Sequence, residues 1–377
     1  FSNVPPLRFP EFSGEWEEEQ LDSIATLSKG IGISKEQLSE DGEPCILYGE
    51  LYTKYKSEII KQVESKTDID CSKLKRSKAN DVIIPCSGET AVDIATARCV
   101  PFDNILLGGD LNIISLHKYD GAFMSYQLNG KRKYDIARVA QGVSVVHLYG
   151  EHLKAIKTYN PSLPEQQKIA KLLSLIDERI ATQNKIIEDL KKLKSAIRKK
   201  IFSLLKDEYT KSFEINQLLD YEQPTAYIVA NDEYSTDTRL TPVLTANKGF
   251  ILGYTDEKNG IYQKGACIIF DDFTMDAKYV SFPFKVKSSA IKILTAKPNV
   301  NLRFMFEYLS HWELKSEEHK RHYISEISPL VIELPSKEKQ NIIALLMTSL
   351  NNKLTIEEKA KIRYEVQKGY LLSQMFI

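Results

Sequence analysis

Two long segments of the chain place hydrophobic residues at intervals of three and four, the spacing of one face of a helix. Residues 161–202 resemble residues 335–376 at a constant offset and without a gap, so that Gln166, for example, recurs as Gln340. Agreement of residue classes over such a length indicates an internal repeat. The pattern predicts two long helices of related sequence.

We bound these two spacer helices at 161–206 and 334–377. Their apolar residues form a narrow seam, which is typical of helices that pair in a coiled coil. A long helix of this kind is poorly stable in water without a partner. The residues that we predict to pair the helices are Gln166, Ile169, Leu172, Ile176, Ile180, Ile187, Leu190, Ile197, Ile201, Gln340, Ile343, Leu346, Leu350, Leu354, Leu371 and Met375.

Polar and charged residues interrupt both seams. Gln183 and Lys194 fall on the seam of the first spacer helix, and Glu357, Lys361 and Lys368 fall on that of the second. A charge on a seam position weakens the apolar contact between paired helices. We therefore expect the second seam to be the weaker one.

The starts of the two helices also differ. Ser162 followed by Glu165 is the capping-box pattern, in which the glutamate folds back onto the cap. After Ser336, Lys339 stands where the box would have its glutamate.

The order of the segments predicts how the helices pair. The first spacer helix leaves one globular segment, 1–160, and enters a second, 207–333, whose end leads into the second spacer helix. If the helices pair along their length, they must run antiparallel. The predicted fold class is α+β: two mixed, mostly β domains separated by two long antiparallel coiled-coil helices with pseudo-two-fold symmetry. Two alternatives remain, in which each helix packs on its own domain or the helices associate between chains.

Both globular segments alternate short apolar runs with turn residues, a pattern typical of β-structure. Residues 302–313 instead predict a helix. The apolar runs that predict strands are 45–48, 82–84, 105–107, 111–114, 143–146, 227–229, 250–252, 267–270 and 291–294.

Composition narrows the possible functions only in part. The 51 basic and 51 acidic residues cancel, which argues against nucleic-acid binding through most of the surface but leaves a local basic face open. The five cysteines include no CxxC pair and favour reduced, cytoplasmic thiols over disulfides or a zinc knuckle. No apolar run is long enough to cross a membrane.

Sequence motifs for the common catalytic and cofactor sites are absent. There is no phosphate-binding loop, no glycine fingerprint for a dinucleotide or S-adenosylmethionine, and no amine-methylation motif. Asp271 and Asp272 would point to opposite faces of a strand, and His319 and His322 lack a third metal ligand. We therefore expect no catalytic residue, no metal site and no cofactor in this chain.

Polar, aromatic and basic residues cluster in the predicted loops of both domains. Asparagine can pair with adenine, arginine or lysine with guanine, and hydroxyls and lysine with phosphates. Surface loops of this composition also occur without a binding role. The candidate DNA-binding residues are Tyr48, Tyr52, Lys54, Ser87, Thr90, Lys131, Arg132, Lys133, Thr245, Asn247, Lys248, Lys278 and Tyr279.

Several of these segments resemble a known family. The run from Glu165 to Ala170 follows a proline and opens a long helix, and it is similar to the helical region of type I restriction–modification specificity subunits. The run from Lys339 to Ala344 is similar to the second copy of that region. Further runs resemble two subtypes of the family's recognition domain, namely 48–52, 81–90, 108–110 and 140–142 in the first domain and 270–274 with Lys278 and Tyr279 in the second.

The resemblance implies a non-catalytic subunit in which each recognition domain reads one half of a split site in double-stranded DNA. The spacer helices would set the number of unread base pairs and dock two methyltransferase subunits through the residues of the two helices named above. Restriction subunits would join that core. S-adenosylmethionine, ATP and Mg²⁺ would belong to those partners and not to this chain.

Three other interpretations stay open. The chain could serve a defence methyltransferase that needs no restriction subunit, or act as a scaffold whose end domains bind proteins. It could also be an enzyme with an unrecognised site in the first domain, near Glu50 or Glu89.

Overall fold

The computed structural model describes residues 2–142, 145–205, 211–246, 249–312 and 321–377. These residues form two compact units, the first built from Phe1–Lys185 with Lys359–Ile377 and the second from Ile186–Glu358. Both boundaries between the units fall inside a long helix. Each unit therefore contains one globular domain and a part of each long helix.

Most helices of the described residues are short, and two are far longer than the rest. The two long ones, α7 and α10, confirm the spacer helices that the repeat predicts. Helix α9 confirms the helix predicted from residue 302, although residue 313 lies outside the described residues. The helices are α1 Leu21–Ile24, α2 Glu50–Thr53, α3 Ala91–Ile94, α4 Gly121–Asn129, α5 Lys133–Val139, α6 Gly150–Lys154, α7 Leu163–Leu205, α8 Ile215–Leu218, α9 Leu302–His311 and α10 Lys337–Gln374.

The first domain is built mainly from short strands. One sheet has the order β2-β11-β7-β9, a second has the order β3-β5-β4-β10-β6, and the pairs β1-β13 and β8-β12 complete it. The strands are β1 Glu17–Gln20, β2 Ala25–Lys29, β3 Leu38–Ser39, β4 Glu43–Ile46, β5 Lys66–Thr67, β6 Lys75–Arg76, β7 Asp81–Pro85, β8 Ser87–Gly88, β9 Arg98–Val100, β10 Leu106–Leu107, β11 Leu111–Leu116, β12 Val146–His147 and β13 Lys157–Asn160.

The second domain is built in the same way. One sheet has the order β15-β21-β18-β19, a second has the order β17-β16-β20, and β14 pairs with β22. The strands are β14 Lys211–Glu214, β15 Leu219–Glu222, β16 Thr241–Leu244, β17 Ile251–Thr255, β18 Cys267–Asp271, β19 Ala277–Val280, β20 Lys285–Val286, β21 Ile291–Ala296 and β22 Val331–Leu334.

The two domains share one part of their topology, although their sequences differ and their second sheets have five and three strands. In each domain an antiparallel strand pair precedes the long helix, and the sheets β2-β11-β7-β9 and β15-β21-β18-β19 are both antiparallel throughout. One helix packs against the end of each of these sheets, α4 in the first domain and α9 in the second. The internal repeat therefore extends from the spacer helices to the globular domains. In sequence the two domains share only the alternation of short apolar runs with turn residues.

Within each unit the long helices run antiparallel. In the first unit Ile169 and Met375 share one apolar cluster, while the Lys368 ammonium lies 2.6 Å from the Asp177 carboxylate. In the second unit Phe202 and Ile343 share a cluster, and Lys191 lies 3.2 Å from Glu358. In both cases residue numbers rise along α7 as they fall along α10, which confirms the predicted antiparallel pairing.

Two predictions of local structure differ from what is found. Of the strand expected at 227–229, Tyr227 ends a 3₁₀ turn, Pro224–Tyr227, and Ile228 forms an isolated parallel bridge with Val286. Tyr227 instead packs edge-on against Tyr262 in the core. The capping box of Glu165 also does not form, since both of its carboxylate oxygens bind the Arg8 guanidinium at 2.7 Å. Of the strand expected at 143–146, Val146 is found in β12, and residues 143 and 144 lie outside the described residues.

Candidate nucleic-acid interface

Two adjoining clefts open on the first domain. One has a volume of about 750 Å³ and the other about 1130 Å³, and Tyr48, Gly49 and Thr53 border both. The first cleft is lined further by Tyr52, Lys56, Ser87, Gly88, Glu89, Asp93, Thr96, Arg98 and Val145. The second is lined further by Lys54 and by the loops around residues 32–38 and 109–110.

A buried glutamate shapes the rim that separates the clefts. The Glu50 carboxylate accepts a hydrogen bond from the Leu47 backbone N–H at 2.9 Å and from the Ser65 hydroxyl. It also pairs with the Lys54 ammonium at 2.8 Å. These contacts fix the turn before α2 and leave Tyr48 exposed at the rim. Glu50 thus has a structural role, which the sequence did not reveal.

Several candidate residues of the first domain meet around the 750 Å³ cleft. The Tyr52 hydroxyl donates to the Ser87 carbonyl oxygen at 3.0 Å, and burial raises the pKa of Tyr52. Tyr48 and Ser87 line the same cleft. Thr90 caps α3, where its hydroxyl accepts from the Asp93 N–H at 3.1 Å. The structure therefore brings together residues from two separate sequence segments.

Arg98 lines this cleft and was missed by the sequence reasoning. It is nearly buried, and its guanidinium donates to the carbonyl oxygens of Tyr55 and Ala97, both at 2.9 Å. Burial lowers the pKa of Arg98, and the carboxylates of Glu58 and Asp177 partly offset that effect. A charged residue inside the apolar run of β9 was the signal that could have singled it out.

The basic residues after α4 lie only partly in a loop, the short turn between α4 and α5. Lys133 lies in the first turn of α5, and Arg132 precedes it as the N-cap. The Arg132 guanidinium donates to the Ile377 carbonyl oxygen at 3.1 Å and lies 5.3 Å from the centre of the Tyr159 ring. The prediction of a protruding basic loop is therefore wrong for Arg132, because its side chain packs against the domain, whereas Lys131 is exposed.

In the second domain the candidates are more scattered. Thr245 is buried, and its N–H donates to the Phe250 carbonyl oxygen at 3.0 Å. Lys278 and Tyr279 lie in β19, and the Arg303 guanidinium lies 4.6 Å from the centre of the Tyr279 ring. Asn247 and Lys248 lie outside the described residues.

The acidic pair of the second domain has a structural role. Asp271 accepts from the backbone N–H groups of Phe273 and Thr274, each at 2.9 Å. Asp272 pairs with the buried Lys292 ammonium at 3.2 Å and accepts from the N–H of Tyr323 at 2.8 Å. The described residues contain no group of histidine, cysteine or acidic side chains that could hold a metal ion. His319 lies outside them.

The predicted seam residues separate into three groups. Most are buried or half-buried, but Leu346 is 43% exposed, which contradicts its predicted place in the helix pair. At this end of α10, Ile343 and Met347 pack into the core of the second unit, so Leu346 turns outward. Buried are Gln166, Ile169, Ile176, Ile187, Gln340, Ile343 and Met375, and half-buried are Leu172, Ile180, Leu190, Ile197, Ile201, Leu350, Leu354 and Leu371.

A family model settles the family. The model of the type I restriction modification DNA specificity domain matches residues 13–192 and again residues 207–366. This chain belongs to that family. The two matches fall on the two domains with their adjoining helix segments, as the repeated topology requires.

Curated relatives of this specificity-family chain agree with that assignment. It is 39% identical over 178 residues to the type I restriction enzyme EcoR124I/EcoR124II specificity subunit of Escherichia coli, a match that covers 42% of this chain and 43% of the relative. It is 25% identical over 251 residues to a putative type I restriction enzyme MjaX specificity subunit of Methanocaldococcus jannaschii, covering 59% and 58%. The chain thus spans about half the length of the curated relatives it matches.

Solved structures show the same fold over the full length. The S subunit of a type I restriction–modification system from M. genitalium has a TM-score of 0.69 at 17% identity and covers 99% of both chains. A chain from a structure of type I R-M complex assembly has a TM-score of 0.55 at 12% identity and covers 98% of this chain and 99% of its own. Among the described residues, none of the helices has the length and hydropathy needed to span a membrane.

Proposed function

We propose that this chain is the DNA-reading, non-catalytic subunit of a type I restriction–modification complex, acting in the cytoplasm. The observation that carries the proposal is the repetition of one four-stranded antiparallel sheet, with the same strand order, in each unit beside its pair of helix segments. Two domains that share a fold but differ in their surface residues would each read a different half of one DNA site. The chain itself would supply no catalysis and no cofactor.

In the first domain the clefts around Tyr48 would read the DNA. Their rims offer hydroxyls, an aromatic ring and the ammonium of Lys56, which are groups that contact base edges and phosphates. Base-edge contacts would set the sequence, and lysine–phosphate contacts would set the register. In the second domain Lys278, Asn247 and Lys248 would do the same.

The long helices would dock the methyltransferase subunits. In the second unit the outward face of α10 carries large apolar side chains, with Ile342 65% and Leu345 70% exposed, followed by Leu346 and Ile356. Exposed apolar faces of this kind mark contact surfaces for protein partners. A methyltransferase helix packed on this face would bury them. Restriction subunits would join through the methyltransferases, and these partners would bring S-adenosylmethionine, ATP and Mg²⁺.

The first unit presents a different surface at the corresponding positions. Lys168 and Lys171 stand in α7 where α10 has Ile342 and Leu345. The Lys168 ammonium also lies 4.6 Å from the centre of the Phe9 ring, so an N-terminal segment covers this part of α7. The two methyltransferase subunits would therefore meet unequal surfaces.

Co-expression with a methyltransferase subunit of the same system tests the proposal. We expect methylated adenines across a genome to define a split motif with a fixed unread spacer. Replacing residues 207–333 with the second domain of another specificity subunit should change one half of that motif only. An unsplit motif, or a change in both halves, would contradict independent reading by two domains.

The same system tests the spacing role of the helices. Insertion of one helical turn in α7 together with one in α10 should lengthen the unread spacer while both half-sites stay unchanged. If the methylated motif kept its spacing, the helices would not set it.

A further inference from the structure

A buried polar cluster joins the first domain to both long helices. The Asp177 carboxylate of α7 accepts from the Tyr126 hydroxyl of α4 at 2.6 Å and from the Ser57 hydroxyl at 3.2 Å. The Lys368 ammonium of α10 lies 2.6 Å from Asp177 and 2.5 Å from Glu58. Both carboxylates are buried. In this unit the long helix α7 supplies an acid, and the domain helix supplies a neutral hydroxyl.

A second cluster occupies the same place in the second unit. The carboxylate of Glu307, on α9, is completely buried. It binds the Arg198 guanidinium of α7 at 2.7 Å and lies 3.5 Å from Arg303. The Asn351 amide of α10 donates to it at 3.4 Å, and its charge also acts on the half-buried Lys194 of α7. Here the domain helix supplies the acid, and α7 supplies the cation.

The internal repeat makes these clusters equivalent position by position. The offset that aligns the spacer helices places Asp177 opposite Asn351 and Lys194 opposite Lys368. Both lysines were assigned from sequence to seam positions that they would weaken. In the structure Lys368 instead pairs with the buried carboxylate of Asp177, and the charge of Glu307 acts on Lys194 within the second unit.

The domain helices align in the same way. Asp120 caps α4 by accepting from the Phe123 N–H, and Asn301 caps α9 by accepting from the Phe304 N–H. Counted from these caps, Tyr126 and Glu307 occupy the same position. The position that meets the long helices is therefore neutral in the first domain and acidic in the second.

We propose that these two clusters form a charge-matching code: in each unit the long-helix segments admit only a domain whose helix carries the complementary charge. A glutamate at position 126 would add a third buried acid beside Asp177 and Glu58, which already share the two cations Lys368 and Arg98. A tyrosine at position 307 would leave Arg198 and Arg303 without their carboxylate. An unmatched charge at a buried site is strongly destabilising, whereas a matched one is tolerated.

The code concerns the contact between a domain and the helices and does not depend on what the domain reads. If the proposed function holds, the code also fixes which domain reads which half of the site, because neither domain fits the other position. If the tests of charge matching failed, the proposal that the domains read DNA would still stand. If the domains did not read DNA, the charge matching between each domain and its helices would still stand.

A double-mutant cycle in the first unit tests the code in the full-length protein. Tyr126→Glu should lower the thermal midpoint of the first unit. Adding Asp177→Asn recreates the glutamate–asparagine pair of the second unit, and we expect it to recover roughly 5 °C of that loss. In the wild type, Asp177→Asn alone should lower the thermal midpoint of the first unit. In the Tyr126→Glu variant the same change should raise it, so the sign of its effect reverses.

The reverse cycle tests the second unit. Glu307→Tyr should destabilise it, and Asn351→Asp should recover part of the loss because it recreates the tyrosine–aspartate pair beside Lys194. Asn351→Asp alone adds a second acid next to Glu307 and should be destabilising or neutral. Hydrogen exchange of the two units, read separately, assigns each effect to its own unit.

Neutral variants separate charge from shape. Glutamine is close in size to glutamate but carries no charge. The losses of thermal stability caused by Tyr126→Gln and Glu307→Gln should therefore not be recovered by adding Asp177→Asn or Asn351→Asp. If Tyr126→Glu does not fold, recovery of folded protein on adding Asp177→Asn becomes the measurement. Additive losses in both cycles, or equal recovery of the glutamine variants, would overturn the proposal.

Discussion

The Gln166 side chain accepts a hydrogen bond of 2.9 Å from the backbone N–H of Asp120, the residue that caps α4. Its amide group donates at the same time to the Pro161 carbonyl oxygen at 2.7 Å. Gln340 repeats both bonds in the second unit, with the N–H of Asn301 at 2.8 Å and the Pro335 carbonyl oxygen at 2.9 Å. One buried glutamine thus ties the start of each long helix to the helix of its own domain.

Replacing either glutamine with leucine should therefore destabilise one unit. Each change leaves a buried N–H and a buried carbonyl without a partner, which costs about 1–3 kcal/mol per group. Urea unfolding monitored by hydrogen exchange should show the loss in the first unit for Gln166→Leu and in the second for Gln340→Leu. Gln367→Leu, at an exposed site on α10, is the control. Equal losses of stability in both units would contradict the inference that each glutamine stabilises only its own unit.

Lys56 provides a test of the cleft as a DNA contact. Its side chain is exposed at the cleft, where its ammonium donates to the Tyr52 carbonyl oxygen at 2.6 Å. Lys56→Ala in the complex with methyltransferase should weaken DNA binding evenly across sequences and lower the slope of log Kd against log salt by about one. Lys154→Ala, whose ammonium pairs with Glu151 outside the cleft at 2.8 Å, should leave the slope unchanged. An unchanged slope for Lys56→Ala would remove this lysine from the phosphate contacts.

Tyr48 should instead affect the sequence that is read. Tyr48→Ala removes an exposed ring at the rim of both clefts without opening a cavity in the core. We expect relaxed or weakened methylation in the half-site read by the first domain, with the other half-site unchanged. Genome-wide methylation mapping measures both halves at once, so each variant carries its own internal control. A change confined to the other half-site would reverse the assignment of the clefts.

The apolar face of α10 predicts a docking phenotype. Ile342→Lys combined with Leu345→Lys should leave the thermal midpoint nearly unchanged, because both side chains are mostly exposed. The same double variant should weaken binding of a methyltransferase subunit at one of two sites by about tenfold or more, since burying a charge at an apolar contact is costly. Val331→Lys introduces the same charge at another exposed apolar position of the second unit. Calorimetric titration that showed both sites intact would contradict the docking face.

Lys194 predicts a dependence of stability on pH. Burial lowers the pKa of Lys194 in the folded protein from the ordinary value of 10.5. The folded state then binds fewer protons than the unfolded state between that lowered pKa and 10.5, so this group adds stability as pH rises through the window. The free energy of unfolding of the wild type relative to Lys194→Met should therefore increase towards pH 10.5. A constant difference would show that the lysine titrates normally.

The sequence by itself determined the architecture. Helical periodicity and an internal repeat are local properties, so both long helices and their antiparallel pairing could be derived without coordinates. The central strands, such as β7, β11, β18 and β21, followed from short apolar runs, and the family followed from the runs that open the two helices. The equivalence of the two domains could not be derived in this way, because their strands share an order in space and few residues in sequence.

Only the tertiary structure decided what the polar residues do. Lys368 was predicted to weaken a seam, yet its ammonium meets Asp177 and Glu58, which lie in distant parts of the sequence. Arg98 was not selected from the sequence, and only the fold places it at a cleft. Leu346 faces outward because Met347 fills the core. The free energy of a charge depends on its neighbours in space. A sequence pattern fixes which face of a helix a charge occupies, but not which partner meets it there.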